Sequence, residues 1–286
     1  MKKTLSILAF AVAGMSVSAQ AQPFQFRGSD TLYGAITDAI NSAGLADSLQ
    51  YLGGGSGLGE TGLVAGTQNI APMSRALKDA AIDNLLNQGV TPVQNVIGLD
   101  GVSVYVKDSE GVTQIDIPTL KGIFQDCTIN DWSLVPGSTK SGPITVFRRD
   151  DNSGTTDTFK TLVGITSFGA CVSILPTTEA IADTTSTDPT AIGYAGLSGD
   201  RPGANRALAV AAAPAGPFVA PGQDSIRTFA YPLSRRLYLQ VASDARVPTD
   251  VEQALVDKVL DRSFMDPILI RNEFITCLPA NQGGCP

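Results

Sequence analysis

The sequence predicts an α/β protein in which mixed sheets are flanked by helices. Three stretches carry that reading. In each, a short apolar run meets a polar turn and then a segment with helical spacing: Phe24 and Phe26 before Gly28-Ser29-Asp30, Tyr51-Leu52 before residues 53–59, and Ile70 to Met73 before Ser74-Arg75. Strand, polar turn and helix in repeated succession is the rhythm of an α/β sheet. Ligands of such sheets sit beyond the carboxyl ends of the strands. The turns at Asp30-Thr31, Ser56 and Ser74 would then face one crevice.

Taken in order, Gly28-Ser29-Asp30 reads as a turn or cap. Leu32, Ala35, Ile36, Ala39 and Ile40 then recur at helical spacing and bury one face. The run Gly53-Gly54-Gly55-Ser56-Gly57-Leu58-Gly59 is a loop entering the next segment, and its place directly after a strand argues against a flexible linker. Asp100-Gly101 opens a new section. Val102, Val104 and Val106 alternate there with Ser103, Tyr105 and Lys107, the period of a strand. Residues 119–124 read as helical, 127–132 as a turn, and 144–147 as a strand running straight into Arg149. A polar run over 183–190 precedes a strand over 191–194, and the Ala- and Pro-rich stretch 207–221 reads as strand and loop. Near the end, Tyr231-Pro232-Leu233-Ser234-Arg235 leads into a strand over 237–241. Thr249-x-x-Glu252 is a capping-box pattern, and Ala254, Leu255, Val259 and Leu260 follow at roughly helical spacing.

The ends and the composition narrow the function. Lys2 and Lys3, the mostly apolar run from Leu5 to Val17, and Ala19-Gln20-Ala21 have the three parts of a secretory signal, with cleavage expected near Ala21. Export across the inner membrane follows as the expectation. The chain holds 20 Lys and Arg against 27 Asp and Glu, and loss of Lys2 and Lys3 leaves it more acidic still. No basic face for nucleic acid is visible. An acidic protein that binds an anion must use local donors instead of its overall field. There is no histidine, so a Ser-His-Asp triad and His-ligated metals are excluded, and no Walker A, G-x-G-x-x-G or G-x-S-x-G pattern occurs. No cofactor, no metal and no enzymatic activity are therefore expected. The length, 286 residues, allows one large domain or two lobes.

The stretch with most chemistry is Arg149-x-Asp151-x-Ser153-Gly154-Thr155. It offers a guanidinium, a carboxylate to hold it, an N-cap serine, a glycine that lets backbone approach a ligand, and a threonine hydroxyl. The first N–H groups of a helix lack intrahelical partners, and its positive dipole end favours an anion. An ordinary N-cap beside a surface ion pair is the competing reading of this motif alone.

The ordered set of motifs resembles the periplasmic phosphate-binding protein of the phosphate ABC transporter. The set comprises Gly28-Ser29-Asp30-Thr31-Leu32, 53–59 with Ser56, Ala71-Pro72-Met73-Ser74-Arg75, Ile129-Asn130-Asp131-Trp132-Ser133, the Arg149 motif, Ala191-Ile192-Gly193-Tyr194 and Tyr231-Pro232-Leu233-Ser234-Arg235. The resemblance implies a two-lobed periplasmic binding protein with its ligand cleft between the lobes: residues 22–100 and 231–286 as lobe 1, and 101–230 as lobe 2. It implies a monomeric receptor of inorganic phosphate serving a membrane permease, with another oxyanion (sulfate, molybdate or arsenate) as the alternative. Carried over by position, Thr31 and Leu32 donate from the first helix start and Ser56 from the second. Arg149, oriented by Asp151, pairs with the phosphate, and Ser153, Gly154 and Thr155 donate from the third helix start. Ser74 stands where many relatives have an aspartate that accepts the proton of bound phosphate. Asp30 is a substitute acceptor or a plain N-cap. Arg75 adds charge to the cleft or pairs with a surface acid. The four cysteines of an exported chain suggest two disulfides with three open pairings; Cys127–Cys171 and Cys277–Cys285 keep each bridge within one lobe.

Overall fold

The computed structural model describes residues 22–108, 111–278 and 285; the expected signal segment and its cleavage site lie outside them. The first third alternates β1 (Phe24–Gly28), α1 (Tyr33–Ser42), β2 (Leu49–Gly54), α2 (Ser56–Ala65), β3 (Ile70–Met73), α3 (Asp79–Asn87) and β4 (Val90–Gly101). The middle contributes β5 (Ser103–Lys107), β6 (Gln114–Asp116), α4 (Ile117–Phe124), β7 (Thr145–Arg148) and α5 (Gly154–Val163). It continues with β8 (Val172–Ile174), α6 (Thr178–Thr187), β9 (Ala191–Ala195), β10 (Asn205–Ala207) and β11 (Ala209–Ala211). The chain then returns through α7 (Gln223–Arg227) into β12 (Ser234–Asp244), followed by α8 (Asp250–Leu260) and α9 (Arg262–Arg271).

Two groups of sheets result. In the first, β1 pairs in parallel with β2, and β12 lies antiparallel between β3 and β4. In the second, the order is β10-β5-β9-β7-β8, with β7 parallel to both neighbours and β5 antiparallel to both of its own, while β11 pairs with β6. Mixed sheets flanked by helices agree with the expected α/β class. Each group has its own apolar core. Phe26, Ile36, Leu49, Leu237, Leu255 and Leu269 pack in one; Val104, Phe124, Trp132, Phe159, Ile192 and Tyr194 pack in the other. Trp132 is buried in the second core, and Asp131 caps the short turn that carries it, accepting from the Ser133 N–H at 2.9 Å.

The antiparallel ladder between β4 and β12 joins the two groups. It sets Arg235 opposite Asp100 and Ser234 opposite Gly101, where the chain leaves and re-enters the first group. The capping box before α8 is complete, with Thr249 and Glu252 exchanging hydrogen bonds. Within α8, Val256 joins the expected Leu255 and Val259 in the core, and Leu260 is exposed. Cys127 is bonded to Cys171, and Cys277 to Cys285. No helix of the described residues is long and apolar enough to cross a membrane.

Candidate functional site

Four strand ends carry the polar residues singled out by sequence. β1 leads to Thr31, β2 to Ser56, β3 to Ser74 and β7 to Arg149. The start of α2 is shaped by Gly55, whose φ of 103° favours glycine. A Cβ there would collide with the Asn152 carbonyl group, and that same carbonyl accepts the Gly57 N–H at 3.0 Å. The loop before α5 is thus pressed directly against the first turn of α2.

The hydroxyls meet across this contact. Thr31 Oγ1 and Thr155 Oγ1 are hydrogen-bonded at 2.9 Å, and Ser56 Oγ lies 3.3 Å from Ser74 Oγ while accepting the Ser74 N–H at 3.0 Å. Gly154 faces both serines: a Cβ on it would overlap the Ser56 and Ser74 hydroxyls. Ser153 caps α5 by accepting the Thr156 N–H at 3.4 Å, which leaves its own proton to donate. Thr31, Ser56, Ser74, Ser153 and Thr155 are all buried. Gly154→Ala is accordingly expected to wedge α5 away from α2. Calorimetry should find phosphate binding weakened by roughly 10- to 100-fold, and denaturant unfolding should show a loss of about 1–3 kcal/mol from the overpacking.

Arg149 is 2% exposed. Its Nη2 donates to Asp30 Oδ2 at 2.7 Å and its Nη1 to Thr178 Oγ1 at 3.1 Å, while Nε is buried without a hydrogen-bond partner among the described residues. The sequence reading requires a correction here. Asp151 does not hold Arg149: it accepts from Arg148 Nη1 at 2.7 Å, and its side chain is 78% exposed. That hydrogen bond holds its carboxyl below the usual carboxylate range. Arg148 precedes Asp151 by one turn and lies outside the buried cluster, so it captures the carboxylate in place of Arg149. Asp151→Asn should therefore change anion affinity by less than about twofold, as an exposed pair is worth little; a titration of the variant checks this.

Leu32 is placed differently too. Its N–H is bonded to the Ser29 carbonyl at 3.2 Å within its own turn, and its side chain is in the core. Arg75 proves to be a pairing residue, donating to Glu60 at 2.7 Å and to Asp157 of α5 at 2.8 Å.

Sequence reasoning assigned no role to Asp100 and Arg235, which form a buried pair behind the hydroxyls. Arg235 Nε donates to Asp100 Oδ2 at 2.9 Å, and Nη2 binds the same oxygen. Nη1 reaches Thr155 Oγ1 at 2.9 Å and Nη2 reaches Thr31 Oγ1 at 3.4 Å. Both threonine hydroxyls therefore accept from Arg235. Of their two protons, one lies in the bond between them and one is left to donate. The sequence did hold a signal: charged residues stand at both ends of the crossover, Asp100 after Leu99 and Arg235 before the apolar run of β12. Each buried guanidinium is thus matched by a carboxylate, and the remaining lining is neutral donors. A cavity of about 660 Å³ lies beside the cluster, sharing Ser74 and Arg235 with it and lined further by Lys78, Lys160 and Tyr231. Among the described residues no group of three His, Cys, Asp or Glu is placed to hold a metal.

Two α/β units whose polar strand ends meet across a shared junction have the architecture of a two-lobed solute-binding protein. The chain belongs to the PBP superfamily, whose domain matches residues 15–261. It is 25% identical over 245 residues to the phosphate-binding protein PstS of Pseudomonas aeruginosa, a match covering 82% of this chain and 75% of that one. It is 32% identical over 179 residues to alkaline phosphatase L of Pseudomonas aeruginosa, covering 55% of this chain and 44% of that one. An ABC-type phosphate transport receptor from Vibrio cholerae has a similar fold, with a TM-score of 0.71 at 20% identity, covering 90% of this chain and all of that one.

Proposed function

We propose that this chain is an exported receptor that captures inorganic phosphate between its lobes and delivers it to the membrane permease of an ABC transporter. The lobes of this reading are residues 22–100 with 231–286, and 101–230; the receptor works in the periplasm as a monomer, without cofactor or catalysis. The observation that carries it is Arg149: a buried guanidinium whose Nε–H has no partner among the described residues, beside hydroxyls with protons to donate. A buried unpaired donor is costly, and an oxyanion acceptor removes that cost. Stripping water from phosphate is likewise unfavourable unless its oxygens find donors. Thr31, Ser56, Ser74, Ser153 and Thr155 supply hydroxyls, and the first turn of α5 supplies the N–H groups of Gly154 and Thr155 with a favourable dipole. The similarity to PstS supports phosphate as the anion.

Calorimetry with phosphate, sulfate and arsenate on one preparation tests this reading. Tight one-to-one phosphate binding supports it, and absence of binding below millimolar phosphate rejects it. Sulfate displacing phosphate at equal concentration would favour a receptor of another oxyanion, a reading motivated by Ser74 offering no carboxylate. The likeness to alkaline phosphatase L motivates a phosphatase reading. Turnover of a chromogenic phosphate ester, lost in Ser153→Ala, would favour it.

A further inference from the structure

An anion enclosed between two lobes leaves only when they part, so contacts that cross the junction without touching the anion govern how long it stays. Several side-chain contacts that cross here belong to the anion cluster itself: Asp30 with Arg149, Thr31 with Thr155, and Arg235 with Thr155. Arg75 with Asp157 stands outside it. Arg75 follows Ser74 in the turn after β3, and Asp157 lies two residues beyond Thr155 on α5. Arg75 Nε donates to Asp157 Oδ2 at 2.8 Å, and the two side chains are only 10% and 19% exposed. Next to them, Thr158 of α5 donates from Oγ1 to the Ser74 carbonyl at 3.3 Å.

The other edge of the Arg75 guanidinium is held within its own group of elements. Nη1 and Nη2 donate to the two carboxylate oxygens of Glu60 at 2.7 and 3.3 Å, and Glu60 also accepts the Lys78 N–H at 2.9 Å. Lys78 Nζ reaches Asp157 Oδ2 at 3.1 Å from an exposed position. Two cations thus meet two carboxylates, and the network offers no net charge to the ligand. Each of its anchors sits on an element that faces the anion: Glu60 one turn after Ser56 on α2, Arg75 beside Ser74, and Asp157 in the first turn of α5. Glu60 keeps Arg75 paired whether or not α5 is in place. The bond to Asp157 can therefore break and re-form without stranding a buried guanidinium.

We infer that Arg75 and Asp157 are positioning residues that latch α5 onto the turn after β3 and set how long a bound anion is retained. The inference rests on the phosphate reading above. A charge-assisted bond shielded from water is stronger than an exposed one. Because it forms as the lobes meet, after the anion has entered, it acts on escape and not on encounter.

Rapid filtration with radiolabelled phosphate gives the dissociation rate, and calorimetry the affinity, for the unsubstituted chain, Asp157→Asn, Arg75→Gln and the double variant. Asp157→Asn should raise the dissociation rate roughly 10-fold and weaken affinity by about the same factor, so that the association rate changes by less than about twofold. Arg75→Gln should have at least as large an effect, and the double variant should lose no more than Arg75→Gln alone, because both changes remove one bond. Lys78→Ala, which removes only the exposed partner, should shift the rate by less than about twofold. Either single variant gives the reading if the other does not fold. An unchanged dissociation rate, or a loss carried entirely by slower association, would mean that the pair merely supports local structure and would overturn the inference. Additive losses in the double variant would overturn it as well. These results leave the phosphate reading standing if the unsubstituted chain binds phosphate; failure of that chain to bind it rejects both.

Discussion

Arg149→Ala is expected to weaken phosphate binding by about 3 kcal/mol, roughly 100-fold, while the protein stays folded. The guanidinium has a buried Nε–H without a partner among the described residues, and it bridges the two groups of sheets by holding Asp30 on one side and Thr178 on the other. Removal takes away the charged donor to the ligand. It also leaves Asp30 without its cation in a place where an approaching anion meets it directly, so the loss should exceed that of any single hydroxyl. Arg149→Lys should recover only part of the affinity, because an ammonium cannot present the planar fork to two oxygens at once. Titration of the two variants against phosphate checks both statements. An unchanged dissociation constant in Arg149→Ala would mean that the anion binds elsewhere.

The second large effect concerns stability. Asp100→Ala should lower the unfolding free energy by about 3–5 kcal/mol, because it strands the buried Arg235 charge. Asp100 is fully buried, and three of its four hydrogen bonds tie β4 to β12 and to the turn at Leu197, the fourth going to the neighbouring Gly101 N–H. The double change Asp100→Leu with Arg235→Met should recover much of that stability, since a buried ion pair replaced by apolar groups of similar volume is often near neutral. Phosphate affinity should not recover in the same way. Without Arg235, Thr31 and Thr155 lose the donor that occupies their lone pairs, and the one proton left over from the bond between them is no longer directed to a ligand. Denaturant midpoints and calorimetry on the single and double variants separate the two contributions.

Much of this arrangement was legible in the sequence because it is local. The starts of α1, α2 and α5 follow from small polar residues placed directly after strands, and the capping box before α8 is complete within four residues. What escaped was non-local or of weak propensity. β4 does not alternate cleanly: Pro92, Gln94 and Asn95 interrupt it, which an edge strand tolerates because one side needs no ladder. α6 holds Thr178, Thr184, Thr185, Ser186 and Thr187, poor helix formers. Burial of Ile181, Ala182 and Thr185 stabilises it against that preference, and the Thr185 hydroxyl bonds back to the Ile181 carbonyl at 2.9 Å. α9 carries Pro267 in its interior and gives no clear periodic signal.

The ion pairs show the same division. Asp151 reads as the partner of Arg149 from its spacing, yet the neighbouring Arg148 is equally well spaced and more exposed, and it takes the carboxylate. The true partner, Asp30, lies 119 residues away in sequence, and Asp100 lies 135 residues from Arg235. Contacts of that kind are set by the return of β12 along β4 and by the packing of α5 on α2. Motif spacing carries no record of them.

The central claim is that an anion is held where the turn after β1, the start of α2 and the start of α5 converge on Arg149. A crystal structure with phosphate at stoichiometric concentration tests it most directly. The account predicts one anion within hydrogen-bond distance of Arg149 Nε, with oxygens shared among Thr31, Ser56 and the first turn of α5. An anion lodged instead in the neighbouring cavity, on Lys78 and Lys160 with Arg149 Nε untouched, would contradict it.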